Sequence, residues 1–163
     1  MPAESAIIYT DGSCHTQHCL GAWVAIIFIA GEKFILSGKD FNTTHNRMEL
    51  TAVIKALQYS GQCGKTLQSI TVVTDSQYVT GLQVRAQKFT DQHFVTKKGN
   101  AIRNEDLVKQ LLLLIKSMPV ELIKIKAHQQ KTADINYNIE ADILCRKFLR
   151  QAVNELYFKL LPL

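Results

Sequence analysis

Ile7-Ile8-Tyr9-Thr10-Asp11-Gly12-Ser13 is an apolar run of strand character that ends by presenting one carboxylate just ahead of a glycine. An ionised group at the end of a buried strand has to be hydrated, paired or metal-bound, so an acid there marks a site and not a core position. Val72-Val73-Thr74-Asp75-Ser76 repeats the arrangement further along the chain. If the two strands lie side by side and parallel, Asp11 and Asp75 meet at one rim, where open α/β sheets place their ligands. Two carboxylates at one rim repel, which requires something cationic between them.

Outward from these strands the chain reads as alternating elements. Gly21 to Ile29 is almost unbroken in apolar and β-branched residues, the pattern of a central strand, and Ala30-Gly31-Glu32 is a hairpin turn into a third strand at Phe34 to Leu36. Asn42 to Asn46 offers several helix-capping side chains, and Leu50, Val53, Ile54 and Leu57 follow at i, i+3, i+4, i+7, so Glu49 is expected in a helix's first turn. Gly61 and Gly64 are expected to stop that helix before a fourth strand over Ile70 to Thr74. Ser76 to Leu82 reads as a short helix, and Arg85 to Arg103 as a basic loop with Phe89 and Phe94 interleaved. Asn104-Glu105-Asp106 caps a helix buried through Leu107, Leu111, Leu114, Ile115 and Met118, and Pro119 ends it. Val120 to Lys126 alternates as a fifth strand, and Ile139, Ile143, Phe148 and Ala152 mark the inner face of a last helix with Asp142 in its first turns. The order β-β-β-α-β-α-α-β-α predicts one α/β domain over residues 1–163, a five-stranded mixed sheet flanked by helices.

The totals narrow the class. A chain of 163 residues supports one core without staples, and 47% hydrophobic with 20% charged residues is an ordinary globular balance. Lys plus Arg outnumber Asp plus Glu by 19 to 14, a surface suited to polyanions. Cysteines 14, 19, 63 and 145 form no Cys-x-x-Cys pair, so reduced thiols in a cytoplasm are expected, and the absence of a membrane-length apolar run agrees. His15 and His18 beside Cys14 and Cys19 raise the question of zinc, but their spacing fits no common zinc pattern and a polar loop is the preferred reading.

Asp11, Glu49, Asp75 and Asp142 all stand at element ends. Each alone is more often a cap or a solvated acid, but four hard oxygen ligands without companion thiolates select magnesium or manganese. Two such ions ~4 Å apart serve the attacking water and the leaving oxygen of a phosphodiester displacement.

Tyr9-Thr10-Asp11-Gly12-Ser13-Cys14, Thr44-His45-Asn46-Arg47-Met48-Glu49-Leu50, Thr74-Asp75-Ser76-Gln77-Tyr78-Val79 and Asn138-Ile139-Glu140-Ala141-Asp142 resemble, in order, the motif blocks of type 1 ribonuclease H (ribonuclease HI), over roughly residues 5 to 150. The resemblance implies the ribonuclease H-like fold. It also implies an endonuclease that hydrolyses the RNA strand of RNA/DNA hybrids with two magnesium ions, manganese being able to substitute, and leaves 5'-phosphate and 3'-hydroxyl ends. It assigns Asp11, Glu49, Asp75 and Asp142 as metal ligands and His128 as an auxiliary proton carrier, a chemistry imidazole suits. It places Cys14, Gln17, Thr44, Asn46 and Gln77 against the hybrid, whose wide minor groove displays 2'-hydroxyls. Arg85, Lys88, Lys97 and Lys98 would grip its phosphates.

The chain departs from the family pattern in places. Thr16 to Leu20 replaces a Gly-Asn-Pro-Gly-rich loop, with Gln17 where an RNA-contacting Asn is expected, and the basic segment carries phenylalanines where many members have tryptophans. The expected unit is a cytoplasmic monomer without a preceding hybrid-binding domain, a free enzyme in preference to a domain cut from a reverse transcriptase. A binding module that kept the fold and lost the chemistry would explain the charge but not the four acids.

Overall fold

The computed structural model describes residues 4–127 and 136–162. Its strands are β1 (Glu4–His15), β2 (Leu20–Ile29), β3 (Glu32–Phe41), β4 (Leu67–Thr74) and β5 (Val120–Lys124). Its helices are α1 (His45–Gln62), α2 (Gln77–Val84), α3 (Ala86–Asp91), α4 (Glu105–Ser117) and α5 (Tyr137–Leu160). The sheet runs β3-β2-β1-β4-β5, with β1, β2 and β3 antiparallel and β1, β4 and β5 parallel.

The near-continuous apolar run of β2 is explained by burial on both faces. Ala25, Ile27 and Ile29 join α1, α2 and α4 in the larger core, and Ala22, Val24 and Ile26 join α5 in the smaller one. Ile27, Leu50 and Leu57 are fully buried, and each such side chain contributes roughly 1.5–3 kcal/mol. The β2–β3 turn carries Ala30 at φ 53° and Gly31 at φ 78°, the left-handed pair that a two-residue hairpin matched to strand twist requires.

Several expectations are corrected. The segment after Arg85 is not all loop: α3 forms there, a six-residue helix with no buried residue and no side-chain cap, features that leave no periodic trace in the sequence. α1 runs past Gly61 to Gln62, and it is Gly64 that turns, at φ 72°. β5 ends at Lys124, two residues early. Asn104 does not cap α4 through its side chain, which instead bonds Arg47 and Tyr78. Within α5 the buried positions are Asn138, Ala141, Cys145 and Ala152, and Ile143 faces outward. Small residues line that face because α5 lies close against β1 and β2, and bulk would hold it off.

Candidate active site

The parallel register of β1 and β4 places the two aspartates. Ile8 pairs with Val72 and Tyr9 with Val73, so the same offset sets Asp11 level with Asp75. Asp11 is not at a strand end, as expected, but inside β1, opposite Val24 of β2. The rim exists because β4 stops at Thr74 while β1 continues to His15, which uncovers one edge of β1 from Asp11 onward.

Gly12 brings α1 against this edge. A Cβ at Gly12 would lie 2.4 Å from the backbone nitrogen of Glu49 and 2.5 Å from the carbonyl carbon of Met48, so only glycine permits the contact. Thr44 caps α1 by accepting from the Arg47 amide at 3.3 Å, and Glu49 is the fifth helical residue. Glu49 is therefore one turn further in than expected, and at 1% exposure it is no solvated acid complementing the helix dipole.

Asp11, Glu49 and Asp75 each offer a carboxylate oxygen within 4.8 Å of the others. Burial, then Glu49, Asp75 and Asp142, drive the Asp11 carboxyl up to about 8, against a smaller opposing pull from the Gly12 amide. Glu49 is also raised, chiefly by burial, with His45 holding it down through a 3.2 Å contact from Nε2 to Oε1. His45 is raised in return by that hydrogen bond. Among the described residues, Glu49 Oε2 is buried without a hydrogen-bond partner. A buried carboxylate oxygen left unpaired beside two further acids fits a divalent cation held by hard oxygen donors, and the donor set contains no thiolate or imidazole to favour a softer ion.

Asp142 lines the same cleft, of about 310 Å³, but does not join the close trio. Its carboxylate is held by Arg146 one turn along α5, Nε to Oδ1 at 2.9 Å and Nη2 to Oδ2 at 2.5 Å. His45 and Arg146 are the basic cleft residues not expected from the sequence, although both stand at i, i+4 from an acid, a spacing visible in the sequence.

Of the expected nucleic-acid contacts, Asn46 and Gln77 line the cleft. Cys14 donates its thiol to the Thr43 carbonyl at 3.4 Å, and Gln17 is exposed in the turn after β1. Arg85 and Lys88 lie on and beside α3, with Arg85 stacked over Phe89 at 5.2 Å, while Lys97 and Lys98 project from the loop closed by the Val95–Ala101 bridge. None of these four cations lines the acidic cleft. His128 lies outside the described residues, and Ala127 before it lines the cleft. In the loop after β1, His18 stacks on His15 at 4.7 Å and reaches the Tyr157 hydroxyl, and the Cys19 thiol donates to the Thr16 carbonyl.

A β3-β2-β1-β4-β5 sheet that crowds acids from β1, α1 and the β4 end into one cleft defines a ribonuclease H-like fold. LC9-RNase H1, whose crystal structure is described as that of a type 1 RNase H with the type 2 active-site motif, superposes with a TM-score of 0.73 at 23% identity, over 93% of this chain and 74% of that one. The family model for RNase H matches residues 3–150. A ribonuclease H of Anaplasma marginale is 41% identical over 150 residues, 90% of this chain and 91% of that protein. One of Caldicellulosiruptor saccharolyticus is 33% identical over 150 residues, 91% of this chain and 98% of its own length. The chain belongs to the ribonuclease H family, whose members are nucleases. Among the described residues no helix is long and apolar enough to cross a membrane.

Proposed function

We propose that this protein hydrolyses the RNA strand of RNA/DNA hybrids with two divalent ions, magnesium in the first place with manganese able to substitute, leaving 5'-phosphate and 3'-hydroxyl ends. Asp11, Glu49, Asp75 and Asp142 would hold the metal. The observation that carries the reading is that Asp11, Glu49 and Asp75 each offer a carboxylate oxygen within 4.8 Å of the others, while Glu49 Oε2 is buried and unpaired. Bound divalent ions supply positive charge at the attacking water and at the leaving oxygen, which such a displacement needs.

The chain's own groups prepare that site. β1, β4 and α1 fix three acids at distances that repulsion alone would not allow, at the cost of a proton retained on Asp11 up to about pH 8. A divalent ion held by Asp11 would displace that proton, so affinity should rise with pH. The contact from His45 engages Glu49 Oε1 and leaves the buried Oε2 unpaired. Asn46 and Gln77, on the cleft wall, bring amide groups able both to donate to and accept from 2'-hydroxyls, a means of telling RNA from DNA. Cys14, Gln17 and Thr44 would add further contacts to the hybrid, and Arg85, Lys88, Lys97 and Lys98 would neutralise phosphates along the duplex. His128 carries a proton without creating the field that the acids and ions provide. On this reading residues 1–163 work as one catalytic domain, a cytoplasmic monomer.

The test is cleavage of end-labelled RNA/DNA hybrid, RNA duplex and DNA duplex with magnesium or with chelator. Cleavage of the hybrid's RNA strand alone, only with metal, into 5'-phosphorylated pieces is expected. Hybrid binding without cleavage under any divalent ion would leave a binding module in place of a nuclease.

A further inference from the structure

The two helix-borne acids of the cleft are each paired one turn along their own helix, Glu49 with His45 and Asp142 with Arg146. The pairings differ in kind. His45 meets one oxygen of Glu49 and leaves Oε2 unpaired, whereas Arg146 takes both oxygens of Asp142 in a fork. Asp142 is also the one acid of the cleft outside the close trio. The fork is an i, i+4 contact within α5.

We propose that Arg146 is a positioning residue that withholds Asp142 from divalent metal, so that the cleft offers two unequal positions, a firm one at Asp11, Glu49 and Asp75 and a weaker one that forms only when an ion displaces Arg146 from Asp142. The inference rests on the metal-binding reading of these acids. A guanidinium matches a carboxylate in two parallel hydrogen bonds, stronger than neutral ones and lost together when a metal takes the oxygens. Its positive charge also repels an arriving dication, so an ion has to displace the guanidinium to reach the carboxylate. The Arg146 side chain is 52% exposed, against 26% for Asp142, so the displaced guanidinium can pass into solvent with little desolvation to overcome. The arrangement stabilises the metal-free cleft, where four acids would otherwise face one another, and keeps the second position empty at low metal.

Binding of Mn2+ to the substrate-free protein, followed by electron paramagnetic resonance, tests this without using activity. The wild type should bind one ion firmly and a second weakly. In Arg146→Gln the second ion should tighten about tenfold or more while the first changes by less than about threefold. Arg146→Lys, which keeps the charge but not the fork, should fall between them and serves as the readout if the Gln variant folds poorly. Adding Asp142→Asn to Arg146→Gln should abolish the tightened position. A purely structural arginine would lower the metal-free melting temperature and leave both affinities alone. Unchanged Mn2+ affinity in Arg146→Gln and Arg146→Lys, or a weakened second ion, overturns the proposal. If the wild type and both variants bind no Mn2+, the metal-binding reading itself falls and takes this inference with it.

Discussion

Replacing Asp11 with Asn should abolish cleavage and make the metal-free protein more stable. The Asp11 carboxyl is raised from 3.8 to about 8, first by burial and then by Glu49, Asp75 and Asp142. A rise of that size sets an upper bound of roughly 5–6 kcal/mol on the cost of ionising it in the folded chain. Sharing of charge among the acids and the remaining burial of a polar amide reduce the expected gain at pH 7 to about 2–4 kcal/mol. For a chain of this size that is a rise in melting temperature of roughly 5–15 °C. Between about pH 4 and 8 the folded state keeps a proton that the unfolded state releases. This contribution to wild-type stability is therefore fully present below the unfolded pKa near 4 and is lost as pH rises to about 8, at about 1.4 kcal/mol per pH unit. Asp11→Asn lacks that slope. Urea unfolding of both proteins in chelator from pH 5 to 9 measures it, and added magnesium should stabilise the wild type at pH 8 far more than the variant. Stability curves that run parallel in pH, or hybrid cleavage near the wild-type rate, would refute the assignment of Asp11 to a crowded metal-binding cluster.

Gly12→Ala should cost roughly 3 kcal/mol in urea unfolding, because its Cβ would meet the α1 backbone at 2.4 Å and force the helix off β1; an unchanged midpoint would mean that the close approach is not there. His45→Ala leaves the buried Glu49 Oε1 without its partner and should lower metal-free stability by about 1–3 kcal/mol, most clearly at pH 6, where the raised His45 is protonated. Equal stability of the two proteins at pH 6 would remove His45 from the site. Lys97→Ala with Lys98→Ala should flatten the salt dependence of hybrid binding by about one to two units and spare the rate at saturating hybrid, since phosphate contacts position the duplex and the acids are untouched. An unchanged salt slope would transfer the grip to other cations such as Lys124 and Lys126.

The strands and the helices α1 and α4 were legible because each leaves a local mark in β-branched runs or i, i+3, i+4 spacing, and Asp11, Glu49 and Asp75 stood out as acids beside apolar segments. Leu50, Val53, Ile54 and Leu57 are buried as their spacing predicts. The sheet order and the level meeting of Asp11 with Asp75 required the parallel register of β1 and β4, a pairing between residues 64 positions apart that no local pattern encodes. Glu49 looked like a first-turn acid because the helix start is local, whereas its burial depends on how near Gly12 lets α1 approach. Ile143 looked like core because hydrophobicity is a property of the residue, whereas the side of α5 that turns inward is chosen by fit to the sheet, and there Ala141 and Cys145 fit. Asp142 and Arg146 stand four apart in the sequence, but only the assembled cleft shows that the arginine occupies the one acid left outside the trio. Residue chemistry and short-range spacing determined which groups the chain carries, and packing decided which of them meet, because distances across a fold are set by what the intervening surfaces can bury.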